Sequence, residues 1–194
     1  SCMAQGVDGD FSVENRLGRH INYGVREHAM GAILNGMSLS GLRVFGSTFL
    51  AFSDYLKPAL RMTAMMNLPV TYIFTHDSAS IGQDGPTHQP IEQLVGLRSI
   101  PNCNVIRPAD ARETYEAYKI AYESTETPTV IVLSRQNLKV VDTNNELVRK
   151  GAYVVKDCEN PARILLATGS EVSLAIDVAN ELGDTRVVSM PSMY

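Results

Sequence analysis

The chain has 194 residues, 44% of them hydrophobic, enough to bury one good core and part of a second. A formal charge of -4 with no cluster of Lys or Arg argues against a nucleic-acid surface, although one well-placed Arg suffices for a small anionic metabolite. The longest apolar runs, at 130–133 and 164–167, fall far short of the roughly 20 residues a membrane-spanning helix needs, and nothing in the opening residues resembles a signal peptide. Cys2, Cys103 and Cys158 are scattered and without metal-ligand spacing, so they read as free thiols of a reducing cytoplasm.

Residues 1–18 have no periodicity and read as a tail. A strand-like run at 19–23 leads into Gly24-Val25-Arg26-Glu27-His28-Ala29-Met30, which opens a helix whose buried face is Met30, Ile33, Leu34 and Met37. Glu27 falls in the first turn, where the helix dipole by itself favours an acid. Gly41 is a stop signal, and residues 42–45 read as a short buried strand ending at Gly46. Phe49, Phe52 and Tyr55 then recur every three residues, and Leu56, Leu60, Thr63 and Met66 continue a helical stripe. Pro58 implies either a kink or a helix that starts near 53–55 with the proline in its first turn.

Residues 69–74 have the β-branched and aromatic content of a strand. They run through Thr75-His76-Asp77-Ser78 into an aperiodic loop at 79–90, of a length usually functional or disordered. Ile91, Leu94, Val95 and Arg98 mark a short helix with Pro90 at its first position. Val105-Ile106 is a brief strand, and Asp110 with Glu113 forms a capping box. The helix that follows should bury Tyr115, Tyr118, Ala121 and Tyr122. Residues 128–133 are apolar on both faces, as a central parallel strand must be.

From Asn137 the sequence turns polar, and 139–150 reads as a linker between a first domain at 19–138 and a second unit at 151–194. In that unit, residues 152–155, 163–166 and 186–189 read as strands. A helix opening at Glu171 carries Val172, Ala175, Ile176 and Ala179 on one face and stops at Gly183. A unit so small lacks cover for its sheet, which suggests part of a longer protein. The alternation of strands and helices implies an α/β fold: a three-layer parallel sheet with helices on both faces, followed by a partial second α/β domain.

Ligands of such sheets bind beyond the carboxyl ends of the strands. That rule gathers Glu27, residues 47–52, residues 76–88 and Arg135 at one edge. There His76, Asp84 and His88 could ligate a metal or transfer protons for a polyol, or they could be solvated, with Asp77 and Asp84 making turn hydrogen bonds. Phe49, Phe52 and Tyr55 could be core or a platform for a planar heterocycle. Arg135 could bind a phosphate or sit in a surface ion pair.

Six strings narrow these alternatives. They are Tyr23-Gly24-Val25-Arg26-Glu27-His28-Ala29-Met30, Ser47-Thr48-Phe49-Leu50-Ala51-Phe52, Thr75-His76-Asp77-Ser78, Gly82-Gln83-Asp84-Gly85-Pro86-Thr87-His88-Gln89-Pro90, Arg107-Pro108-Ala109-Asp110 and Ser134-Arg135-Gln136-Asn137-Leu138. In order and spacing they resemble the middle of the transketolase family, over roughly residues 19–190. The resemblance implies the pyrimidine-binding domain of the thiamine diphosphate fold, followed by the start of the C-terminal domain. It implies that Glu27 hydrogen-bonds a pyrimidine ring nitrogen and promotes the imino tautomer, a role in which burial should raise the pKa of its carboxyl. Phe52 would stack on the pyrimidine, with Phe49 and Tyr55 completing the pocket. His76 and Asp84 would read sugar hydroxyls, His88 would assist proton transfer, and Arg135 would bind the sugar phosphate.

By the same resemblance the enzyme moves a two-carbon ketol unit from a ketose phosphate, such as xylulose 5-phosphate, to an aldose phosphate, such as ribose 5-phosphate, in the pentose phosphate pathway. It works as a homodimer with its cofactor between subunits. The diphosphate and a divalent cation, Mg or Ca, would be held outside this chain, so this segment alone is expected to be half a site and inactive. Related readings are dihydroxyacetone synthase, deoxyxylulose-phosphate synthase and the beta subunit of a pyruvate dehydrogenase. A metal hydrolase built on His76, Asp84 and His88, or a non-catalytic dimerisation module, would be a different class.

Overall fold

Val130, Ile131 and Val132 are completely buried because their strand is paired along both edges and covered on both faces. A computed structural model describes residues 8–141 and 145–193 of the chain. Its first sheet holds β1 (Phe45–Phe49), β2 (Thr71–Thr75), β3 (Asn104–Ile106) and β4 (Thr129–Val132), all parallel, in the order β1-β2-β4-β3. Side chains alternate across it. Tyr72, Phe74, Val105, Val130 and Val132 share a core with α1 (Glu27–Leu39), α2 (Ser53–Met65) and α3 (Gln93–Arg98). Ile106 and Ile131 point the other way, onto Ala117 and Ala121 of α4 (Ala111–Glu123).

The layering follows from handedness. Passing from β1 to β2 through α2 and from β2 to β3 through α3 moves along the sheet in one direction. The step back from β3 to β4 reverses it, so a right-handed crossover must carry α4 to the opposite face. The fold is therefore the three-layer α/β arrangement expected, followed by a smaller unit. That unit contains β5 (Tyr153–Lys156), β6 (Arg163–Ala167), α5 (Glu171–Leu182) and β7 (Thr185–Ser189), in the order β5-β7-β6, with β5 antiparallel to β7 and β6 parallel to it.

Several local expectations shift. Residues 19–23 form no strand; His20 makes only an isolated bridge to Asp10. β1 begins at Phe45 rather than ending near it. On α1 the buried residues are Met30, Gly31, Leu34 and Asn35, and Ile33 is 45% exposed. The face turns toward α2 because Gly31 allows close approach: a Cβ there would lie 2.8 Å from that of Ala59. Asn35 donates to the Ala59 carbonyl at 3.1 Å and accepts from the Thr63 hydroxyl at 2.6 Å, so this buried amide is satisfied across the same contact. Pro58 lies in the second turn of α2 rather than the first, where it removes a single hydrogen bond without ending the helix. α3 starts after Glu92, leaving Pro90 outside it and Ile91 and Val95 exposed. Cys2 and the polar run at 142–144 lie outside the described residues; Cys103 and Cys158 are free.

The largest departure is α4. Asp110 caps it as expected, accepting from the Glu113 N–H at 3.0 Å. Yet Tyr115, Tyr118 and Tyr122 are exposed, and the buried residues include Glu113 and Glu116. The second unit explains this, because it covers that side of the helix with hydrogen-bond donors. Glu113 Oε1 accepts from the hydroxyls of Tyr153 and Ser189, both at 2.6 Å, and Oε2 accepts from the Ala109 N–H at 2.7 Å. Arg149 pairs with Glu116 at 2.6 Å. A tyrosine stripe matched the helical period, but acids with partners won the interface.

Replacing Glu113 by Ala strands three donors in a buried site, so Glu113→Ala should lower the unfolding free energy by about 2–4 kcal/mol, measured by urea denaturation. Glu113→Gln, which retains one acceptor oxygen, should lose less.

Candidate functional site at the carboxyl edge of the sheet

α1 turns back through a short connection into β1, so the two run antiparallel and the first turn of α1 lies at the carboxyl end of the strand. Glu27 is the first residue of that helix. It is half-buried, and among the described residues no side chain pairs with its carboxylate. Neighbouring Arg26 turns away to donate to the Tyr23 carbonyl at 3.1 Å. Glu27 is thus a hydrogen-bond acceptor at a helix N-terminus.

After β1 the chain makes a single 3-10 turn, Leu50–Phe52, anchored by the buried Leu50. The turn sets Phe49 and Phe52 nearly parallel, 11° apart with centroids at 6.0 Å, and Tyr55 lies 6.1 Å beyond Phe52. None of the three is core. Phe49 and Phe52 are half-buried and Tyr55 is 65% exposed, so their rings form a surface platform. A cavity of about 420 Å³ opens beside Phe52 and Tyr55, with Gln93 in its lining held by Asp54 at 2.9 Å.

β2 ends at Thr75, and His76 immediately adopts φ of 61°, a left-handed conformation costly for a residue with a Cβ. The strain is held in place by its neighbours. The imidazole stacks on Phe49 at 3.7 Å, and its Nδ1 lies 3.0 Å from the Thr75 hydroxyl. On the other side Asp77 is buried and clamped by Arg107, whose Nε and Nη2 lie 2.8 and 2.7 Å from Asp77 Oδ2. Of the alternatives open for it, Asp77 therefore serves an ion pair rather than a turn.

The loop at 79–90 folds back rather than dangling. Ile81 is buried, Gln89 donates to the Ala79 carbonyl at 3.0 Å, and the His88 N–H bonds the Gly85 carbonyl at 3.1 Å. This return sets the His88 ring edge-on to Phe52 at 5.1 Å. Asp84, on the same loop, and Arg135, just past β4, are exposed. Burial holds the His76 pKa below 6.5; the positive charge of Arg135 adds to the shift, Asp84 opposes it and His88 reinforces it. Four of the expected residues thus share one electrostatic neighbourhood. Among the described residues no three His, Cys, Asp or Glu side chains converge as a metal site, so His76, Asp84 and His88 do not form one.

Arg107 is the group that composition and spacing did not single out. It is buried at the end of β3, and besides Asp77 its guanidinium donates to the Thr168 carbonyl at 2.8 Å, to Ser170 Oγ at 3.3 Å and to the Glu171 carboxylate. The available signal was an arginine continuing an apolar strand directly into a proline, where solvent is hard to reach.

The charges around His76 carry a direct test. Its NMR titration midpoint should lie below 6.5, Arg135→Ala should raise it and Asp84→Asn should lower it further. In each case the sign follows the charge removed.

The amino-acid sequence matches the family described as transketolase, pyrimidine binding domain, over residues 4–141, and the transketolase-like C-terminal domain over residues 151–194. It is 56% identical to the transketolase of Bacillus subtilis (strain 168), covering 95% of this chain and 29% of that protein. The structure superimposes on transketolase from Leishmania mexicana with a TM-score of 0.92 at 49% identity, covering 95% of this chain and 28% of the other. It also matches a split-gene transketolase, solved as an inactive beta4 tetramer, with a TM-score of 0.73 at 28% identity, covering 89% of this chain and 57% of that one. The chain thus spans under a third of the length of its curated relatives and belongs to the transketolase family, as its pyrimidine-binding domain with an adjoining stretch of the C-terminal domain.

Proposed function

We propose that this chain supplies the pyrimidine-holding side of a thiamine diphosphate site in an enzyme that moves a two-carbon ketol unit from a ketose phosphate to an aldose phosphate. The observation that carries the reading is a half-buried aromatic platform at the same sheet edge as a carboxylate with no side-chain partner among the described residues. A planar heterocycle fits that combination: its face needs Phe52, and a ring nitrogen needs the acid at Glu27. The parallel Phe49 and Phe52 rings, centroids 6.0 Å apart, are too close to admit a third ring between them. Phe52 and Tyr55 would hold the heterocycle on the side of Phe52 away from Phe49.

The cofactor, when bound, supplies the carbon nucleophile and the electron sink. The rest falls to side chains of this chain. Glu27 shares a proton with the pyrimidine nitrogen. His76, kept neutral by burial and by Arg135, offers one donor and one acceptor to sugar hydroxyls, and exposed Asp84 accepts a further hydroxyl. His88, edge-on to Phe52, is within reach of groups on the platform and moves protons at the reacting carbons. Arg135 supplies a fork for the sugar phosphate.

The remaining parts of the reading extend past this chain. The diphosphate and a divalent cation, Mg or Ca, are held by other residues, and a second subunit completes the site of a homodimer. Xylulose 5-phosphate and ribose 5-phosphate, the substrates of the pentose phosphate pathway, suit an edge bearing two imidazoles, one acid and one guanidinium. The segment alone should not turn over, a reading supported by the split-gene relative solved as an inactive tetramer. Free Cys103 and Cys158 suit a cytoplasmic enzyme.

In the assembled enzyme Glu27→Gln should lower kcat by about 10²–10⁴ while leaving the circular dichroism spectrum intact; near-normal turnover at saturating cofactor would sink the assignment. Arg135→Ala should raise the KM for a phosphorylated donor roughly ten- to a hundredfold and spare an unphosphorylated one. Steady-state kinetics on hydroxypyruvate beside a ketose phosphate separates these outcomes.

A further inference from the structure

The guanidinium of Arg107 touches both halves of the chain at once. On one side it grips Asp77, the residue that directly follows the left-handed His76. On the other it meets Thr168, Ser170 and Glu171, the turn before α5 and the first residue of that helix in the second unit. Gly169 makes the fit possible, since a Cβ there would lie 2.6 Å from Arg107 Nε and its φ of 61° already favours glycine. The backbone N–H of Arg107 is also tied to the second unit, donating to the Pro191 carbonyl at 2.8 Å. None of these residues is among the groups assigned to substrate.

Held on both sides, the guanidinium has little freedom to reorient. Removing its partners in the second unit frees it to solvent and loosens its hold on Asp77. A looser Asp77 removes one of the three restraints on the strained His76, the others being the ring stack on Phe49 and the contact of its Nδ1 with the Thr75 hydroxyl.

We propose that Arg107 is a positioning residue: by bridging α5 to Asp77 it makes the placement of His76 at the substrate edge depend on the docking of the second unit. Its catalytic consequence rests on the substrate role proposed for His76; its structural part does not.

The test uses two variants that spare the platform, Glu171→Gln and Arg107→Lys. Glu171 is half exposed, so its replacement should be tolerated. Lysine keeps the charge but cannot span Asp77 and the second unit together. In this chain, labelled at histidine, stacking on Phe49 should shift the His76 ring resonances upfield of those of exposed His28. Both variants should move the His76 signals toward those of His28, which should itself not move. In the assembled enzyme they should lower kcat/KM for the ketose donor by roughly ten- to a hundredfold. Unchanged His76 resonances in folded Glu171→Gln would overturn the proposal. Displaced resonances with unaltered kcat/KM would uphold the bridge and count instead against the substrate role of His76.

Discussion

A buried guanidinium shared by two units is the constraint on which the arrangement of this molecule depends. Arg107 is nearly inaccessible to water, yet it meets two carboxylates, a carbonyl and a hydroxyl. Burial by itself would lower the proton affinity of the guanidinium, and its acid partners more than reverse this. For Glu171 the balance has the same form: burial would raise the carboxyl, and the hydrogen bonds from Arg107 and Ser170 together with the guanidinium charge outweigh it. Such a cluster is poor as a source of net stability but severe as a specification, because removing one partner of a buried pair typically costs about 3–5 kcal/mol. The second unit therefore docks in one orientation, with Glu113 and the two hydroxyl donors of Tyr153 and Ser189 setting a second fixed point on α4.

The parts of the fold legible in the amino-acid sequence were those decided by neighbours in the chain. β4 declared itself by an unbroken apolar run, Asp110 by its capping pattern, and Gly183 by its place after the last helical residue, where it takes φ of 78°. Errors concentrated where distant residues decide. Tyr115, Tyr118 and Tyr122 keep a helical period, but nothing local could announce that Tyr153 and Ser189 would bring donors to Glu113 instead. Ile33 likewise obeyed the pattern and lost its place to Asn35, whose partners lie on α2.

The site divides along the same line. Glu27, Phe49, Phe52, His76 and Arg135 were singled out by motif resemblance and the strand-end rule, and of these Phe49, Phe52 and His76 stack on one another with the charge of Arg135 acting on His76. What no motif conveyed was the support behind them. The stack of His76 on Phe49 and the Asp77 clamp are three-dimensional facts, joining the residues after β2 to Phe49 of β1 and to Arg107 just past β3.

The strand order also has a kinetic side. β4 sits between β2 and β3 in space but is the last of the four in the chain. Until it is in place, β2 and β3 each present a bare edge, and closing the sheet means inserting a strand between two already made. Parallel pairing at such separations is slow, because loop closure must precede any contact that rewards it. During synthesis the half-formed sheet would thus stay open until residues 129–132 leave the ribosome, with the hydrophobic strands β2 and β3 exposed to aggregation in the interval.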